Sequence, residues 1–185
     1  MSIKELILGC KKGERTHFNY LYKMFSGSLF SICRRYAGNE EEAKDLLQEG
    51  FVKIFKKLDT FNIERGSFEG WMKRIVVNLC IDNYRNNKIR FQEVVVDDIA
   101  DDSYSDSDDS AAEFQDIGHE EILQAITELP MGYRTVFNMY IIDEKSHKEI
   151  AATLNISENT SKTQLFKARK MLQKKLRSEM ISGSK

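Results

Sequence analysis

The sequence predicts an all-α protein of two helical domains, residues 1–92 and 118–182, joined by a flexible acidic linker over 93–117. Three observations predict it. Helix formers dominate, while the 185 residues hold only ten glycines and a single proline, Pro130; proline and glycine are the residues that interrupt helices most strongly. Apolar residues recur at three- and four-residue spacing on both sides of the middle segment, which is the period of a helix and not of a strand. The middle segment has no such period, and residues 93–121 carry 12 acidic residues and no lysine or arginine.

In chain order, Phe18, Leu21, Met24 with Phe25, Leu29, Ile32 with Cys33, and Tyr36 form the apolar stripe of a first helix. Asn39 followed by Glu42 has the form of an N-cap pair. It opens a second helix with Ala43, Leu46, Leu47, Phe51, Ile54, Phe55 and Leu58 on its apolar side. Residues 59–66 read as a turn. Ser67 is a suitable cap for a third helix running through Trp71, Ile75 and Leu79 to about Asn87.

The linker is rich in Asp and Ser. Its core, residues 101–110, lacks the apolar surface needed to offset the entropy of ordering a chain. Its carboxylates invite a calcium reading, but the glycine and closing glutamate of a calcium loop are missing at the required offsets.

Beyond the linker, Ile122, Leu123, Ile126 and Leu129 share one helix face. Pro130 fits the first turn of the next helix, which carries Val136, Phe137, Tyr140 and Ile141. Ser146-His147-Lys148-Glu149 has the capping-box form and starts a short helix over 149–154, with Ile150, Ala151 and Leu154 inward. Asn155-Ile156-Ser157 makes a tight turn, and Asn tolerates the left-handed backbone such turns demand. Ser157 then caps a longer helix with Ser161, Leu165, Ala168 and Leu172 on one face. Short helix, three-residue turn and longer helix make a helix-turn-helix, whose second helix enters the DNA major groove. The other face of that helix shows Asn159, Lys162, Thr163, Phe166, Lys167, Lys170 and Lys174, with Arg169 nearby. Lysine reaches guanine or phosphate, threonine either, and an aromatic ring packs on a thymine methyl.

The overall net charge of −1 conceals segregation: 17 basic against 11 acidic residues in 1–92, and 11 against 6 in 122–185. Each basic block suits a polyanionic partner. No apolar run approaches a membrane span, and the N-terminus lacks the long apolar core of a signal peptide, so no membrane insertion and a cytoplasmic location are expected. Cys10, Cys33 and Cys80 fit neither a disulfide framework nor a zinc motif. His17, His119 and His147 are isolated, and nothing resembles a catalytic constellation or a phosphate loop. No enzyme activity, cofactor or metal is expected.

The run from Leu129-Pro130 through Tyr133-Arg134, Ser146, Lys148-Glu149-Ile150-Ala151 and Leu154-Asn155-Ile156-Ser157 to Ala168-Arg169-Lys170 resembles region four of the extracytoplasmic-function (ECF) sigma factors of RNA polymerase, group 4 of the housekeeping sigma factor superfamily. The stretch from Ala43 through Asp45, Gln48, Glu49 and Phe51 to Lys53 resembles the core-binding helix of region two. The stretch from Phe68 through Trp71 to Asp82 resembles the adjacent promoter-melting helix.

The resemblance implies that Asp45, Gln48, Glu49 and Phe51 face core RNA polymerase, although Phe51 also suits a core position. It implies that Trp71, Arg74, Asn78, Arg85 and Lys88 meet the melted minus-ten promoter DNA, with Trp71 equally suited to packing beside Ile75. Lys162, Thr163, Phe166, Lys167 and Lys170 would read the double-stranded minus-thirty-five element. The resemblance further implies control by an anti-sigma factor. It leaves the linker as either a solvated tether or a polyanion mimic threading the RNA channel of the polymerase. Ser161 and Asn159 stand where many relatives carry valine and glycine, Asn155 replaces a common turn glycine, and the second tryptophan of the housekeeping factors is absent. The alternative class is an autonomous helix-turn-helix regulator, for which residues 43–58 would be an ordinary bundle helix. A helical protein-interaction module is a further rival, which the basic face of the last helix disfavours.

Overall fold

The computed structural model describes residues 2–62, 64, 66–90 and 118–182, and the side chains of these except 88–90, 119 and 179–182. The described residues form helices and no strand. The acidic linker, and with it the choice between tether and channel segment, lies outside the described residues. Cα packing divides the chain into two compact units, residues 1–83 and 84–185.

The first unit opens with a helix the periodicity did not predict, α1 (Ile3–Lys11). A capping box starts it: the Glu5 amide donates to the Ser2 hydroxyl at 3.2 Å, and the Ser2 amide donates to the Glu5 carboxylate at 2.7 Å. Leu6, Ile7 and Cys10 are buried. Gly9 is where α1 meets the next helix, since a Cβ there would stand 2.2 Å from the His17 ring. A larger residue would have to displace that ring.

Helix α2 (Arg15–Tyr36) buries Leu21, Phe25, Leu29, Ile32, Cys33 and Tyr36. Met24, expected on this stripe, is instead exposed, because its neighbour Phe25 takes the inward position. Helix α3 (Glu40–Lys57) begins as expected, with the Asn39 side chain accepting from the Glu42 amide at 2.8 Å. It buries Ala43, Leu46, Leu47, Gly50, Phe51 and Ile54. Phe51 packs on Tyr22 with ring centroids 4.7 Å apart, and Phe18 meets Phe55 edge-on at 4.7 Å. A single 3-10 turn, Leu58–Thr60, ends the helix.

Helix α4 (Phe68–Arg90) is capped by Ser67, whose hydroxyl accepts from the Gly70 amide at 3.0 Å. Met72, Val76, Leu79 and Cys80 are buried. Gly50 lets α3 and α4 approach closely, as a Cβ there would lie 3.1 Å from a Val76 methyl. Asn83 of α4 donates to the Glu42 carboxylate at 2.7 Å, tying α4 to the N-terminus of α3.

The second unit holds α5 (His119–Thr127), α6 (Met131–Phe137), a π-helical turn (Asn138–Ile142), α7 (His147–Leu154) and α8 (Glu158–Ser182). Pro130 sits just before α6 as its N-cap and not within its first turn. Ala125, Ile126, Leu129, Ala168, Leu172 and Leu176 form the core between α5 and α8. Burying each large aliphatic side chain contributes about 1.5–3 kcal/mol. The buried Arg134 guanidinium closes the α5–α6 corner by donating to the Thr127 carbonyl.

Candidate functional site

Three surfaces carry the residues the sequence singles out. On α3, Asp45, Gln48 and Glu49 are exposed. Their spacing of three and four places them on one stripe of the helix. Val52, 45% exposed, continues that stripe one turn on. Nothing in the sequence marks it, since a single exposed apolar residue is ordinary on a protein surface. Phe51 needs correction: it is 4% exposed. Its spacing from Leu47 and Ile54 puts it on the buried face, so it braces the stripe from behind. Lys53 pairs with Glu49 at 3.2 Å and Lys44 with Glu40 at 2.7 Å. The Lys44 ammonium holds the Glu40 carboxyl below the usual carboxylate range.

On α4, Arg74, Asn78 and Arg85 are exposed, at intervals that keep them near one face. The side chain of Lys88 lies outside the described residues. Trp71 is half-buried, stacked on Phe68 at 5.6 Å and 20° and tilted against Phe61 at 5.4 Å. Phe61 arrives from the preceding loop, a partner that could not be read from helical spacing. Trp71 is therefore one plate of an aromatic stack with only part of its surface presented.

The third surface is the helix-turn-helix. The Ser146 hydroxyl accepts from the Glu149 amide at 3.3 Å, and the Ser146 amide donates back to the Glu149 carboxylate at 2.9 Å. The Ser146 hydroxyl also donates to the Glu149 carboxylate at 2.7 Å, and this bond first, then the one from the Ser146 amide, holds the Glu149 carboxyl below its ordinary value. The helix so started begins at His147, two residues before the expected 149. Asn155 takes the left-handed conformation, φ 53 and ψ 55, that ends it. Ser157 caps α8 by accepting from the Thr160 amide at 2.9 Å.

Along α8, Ser161, Leu165, Ala168 and Leu172 are buried, as their spacing predicts. Asn159, Lys162, Lys170 and Lys174 are exposed on the far side, and Thr163, Phe166 and Lys167 are half-buried beside them. The Lys170 ammonium stands 4.5 Å from the Phe166 ring centroid. This cation–π contact joins the two, so Lys170 is not simply an outlying phosphate anchor. Among the described residues no group of side chains could hold a metal ion, and no helix is long and apolar enough to cross a membrane.

Family models match in the same places: sigma-70 region 2 over residues 21–89 and sigma-70 region 4 over residues 119–172. The ECF RNA polymerase sigma factor SigW of Bacillus subtilis is 32% identical, over 96% of this chain and 98% of its own length. The chain belongs to the ECF sigma factors of RNA polymerase. SigE of Mycolicibacterium smegmatis is 27% identical over 82% of this sigma factor and 58% of its own chain. Among solved structures, the sigma factor RpoE in complex with the anti-sigma factor NepR from Bartonella quintana aligns with a TM-score of 0.48 at 19% identity, over 86% of this chain and 96% of that one.

Within this sigma factor, α3 and all but the last residue of α4 fall inside the region 2 match, and α7 with residues 158–172 of α8 inside the region 4 match. Besides Val52, two residues escaped the sequence reading. His147, taken there as an isolated histidine, lies with Nδ1 2.9 Å from the Ser161 hydroxyl and stacks on Tyr140. Glu42, noted only for its cap, takes both the Gly38 amide and the Asn83 side chain on its carboxylate, each at 2.7 Å.

Proposed function

We propose that this sigma factor docks on core RNA polymerase through the α3 stripe of Asp45, Gln48, Glu49 and Val52. In this reading α4 holds the melted minus-ten strand with Arg74, Asn78, Arg85 and Lys88, and Trp71 offers its free edge to an unstacked base. Opening a duplex requires new partners for unstacked bases, and aromatic surface beside cationic side chains supplies them. The helix α8 reads the minus-thirty-five duplex with Lys162, Thr163 and Phe166, while Lys167 and Lys170 meet phosphates. The chain itself catalyses nothing; core polymerase performs the nucleotide chemistry. It acts in the cytoplasm, where an anti-sigma factor holds it until released.

The observation that carries this reading is the division of α8 into a buried small-residue back and a basic front. Ser161 and Ala168 are each 0% exposed, while Lys162 and Lys170 stand in solvent. A helix pinned in this way, behind a short capped helix, presents its front as a unit to a groove. Run-off transcription on genomic fragments tests it. Core polymerase with this chain should yield transcripts from discrete start sites that core polymerase alone does not use. Sequence-specific DNA binding with no new transcripts would favour the autonomous regulator.

A further inference from the structure

The apolar stripe turns the back of a helix to the core, but apolar packing is non-directional and fixes the last degrees of rotation less finely than a directional contact does. The buried back of α8 is apolar at Leu165, Ala168 and Leu172, but at Ser161, beside the first reading residues, it is a hydroxyl. That hydroxyl lies 2.9 Å from Nδ1 of His147, the first residue of α7. The imidazole is stacked on the ring of Tyr140, with centroids 4.5 Å apart and planes 25° from parallel. The Arg169 guanidinium of α8 stands 5.9 Å from the same ring. Tyr140 from the π-helical turn, His147 from α7, and Ser161 and Arg169 from α8 thus form one connected set spanning three elements.

A hydrogen bond restricts direction as well as distance. Ser161 is fully buried, so turning α8 away from His147 would take this partner from its hydroxyl, and an unmade buried bond costs more than a made one contributes. Lys162 follows Ser161 directly, and Thr163 and Phe166 lie within two turns of it. Any rotation at Ser161 therefore swings all three reading side chains. The Tyr140 stack holds the imidazole plane, so His147 is an oriented anchor and not a loose surface side chain.

We propose that His147 is a positioning residue for upstream promoter reading: through Ser161 it fixes the rotation of α8 and so the places where Lys162, Thr163 and Phe166 meet base edges. The inference rests on α8 being the reading helix. It names a second layer of specificity, in residues that do not themselves touch DNA.

The test uses holoenzyme assembled from the full chain and a duplex library randomised in the upstream element. The variants are Ser161→Ala, His147→Leu, their double, and His147→Asn, whose amide can stand where Nδ1 stands. Loss of one hydrogen bond predicts a roughly two- to tenfold flattening of base preference for Ser161→Ala and for His147→Leu. The double variant should be no flatter than either single, because both remove the same bond. His147→Asn should restore most of the preference. The salt dependence of binding should stay that of wild type, since no phosphate contact is lost. Thermal unfolding of each variant identifies any that fails to fold, and Ser161→Ala, the mildest change, keeps the test decisive. Preference unchanged in Ser161→Ala and His147→Leu would overturn the inference, as would specific and non-specific binding falling together. Wild-type holoenzyme with no upstream preference at all would instead refute the assignment of α8, and the inference with it.

Discussion

Reversing the charge of the α3 stripe with Asp45→Lys and Glu49→Lys separates folding from assembly, because the two respond on different scales. In the free chain Glu49 pairs with Lys53 at 3.2 Å, both side chains partly in solvent. Such an exposed pair contributes about 0.3–0.5 kcal/mol, and the like-charge pair that replaces it costs a similar amount. Asp45→Lys works the other way, since Glu41 lies one turn ahead and gains a cation at the favoured spacing. The net change in folding is below about 1 kcal/mol, a shift in melting temperature of no more than about 4–8 °C for a unit of residues 1–83. At an interface, placing like charges against a complementary partner costs several kcal/mol. Two reversals should therefore weaken core binding at least about a hundredfold, equivalent to roughly 2.7 kcal/mol. Fluorescence titration of labelled chain with core polymerase at low and high salt measures this, with far-ultraviolet dichroism confirming the helix. The deficit should shrink as salt rises. Wild-type affinity at low salt in a variant of unchanged helicity would refute the placement of the interface on this stripe.

Other expectations follow from the same geometry. Lys162→Ala and Phe166→Ala should each cost about 1–3 kcal/mol in use of the upstream element if they meet base edges; selection from randomised promoters reads this as lost preference at particular positions. Lys170→Ala should lower affinity more evenly and reduce the salt slope, with a smaller added effect in the Phe166→Ala background because the two side chains are joined. Gly50→Leu should destabilise the first unit by about 1–3 kcal/mol or more, since even a Cβ meets Val76 at 3.1 Å; urea denaturation measures it. The Glu149 carboxyl is held below its ordinary pKa by Ser146, so its stabilising effect is present above the unfolded-state carboxylate pKa and is lost as pH falls through the lowered folded value. The advantage of wild type over Glu149→Gln in thermal unfolding should accordingly disappear in acid, and a carboxyl titration by NMR should place Glu149 below an exposed glutamate.

The all-α class and the helix-turn-helix were legible because each rests on local chemistry. Asn39, Ser67, Ser146 and Ser157 cap helices with their own side chains, and Asn155 adopts a backbone that few residues accept. The buried set of α8 followed from spacing alone. What escaped depends on contacts between distant segments. Helix α1 is short, and its Leu8 is exposed among buried Leu6 and Ile7, so no clean stripe shows. Trp71 finds Phe61 across a loop, and His147 finds Ser161 fourteen residues away. For Phe51 two signals compete: the motif points to an interface and its spacing from Leu47 and Ile54 to the core, and the structure buries it.

The central claim is that this chain gives core polymerase the ability to find and open a promoter. Permanganate footprinting of a selected promoter measures that opening directly, because only unstacked thymines react. With core polymerase and this chain together, thymines in the minus-ten element should become reactive, and with either component alone they should not. Reactivity that core polymerase produces without the chain, or a chain that occupies the promoter while core polymerase adds no opening, would contradict the account.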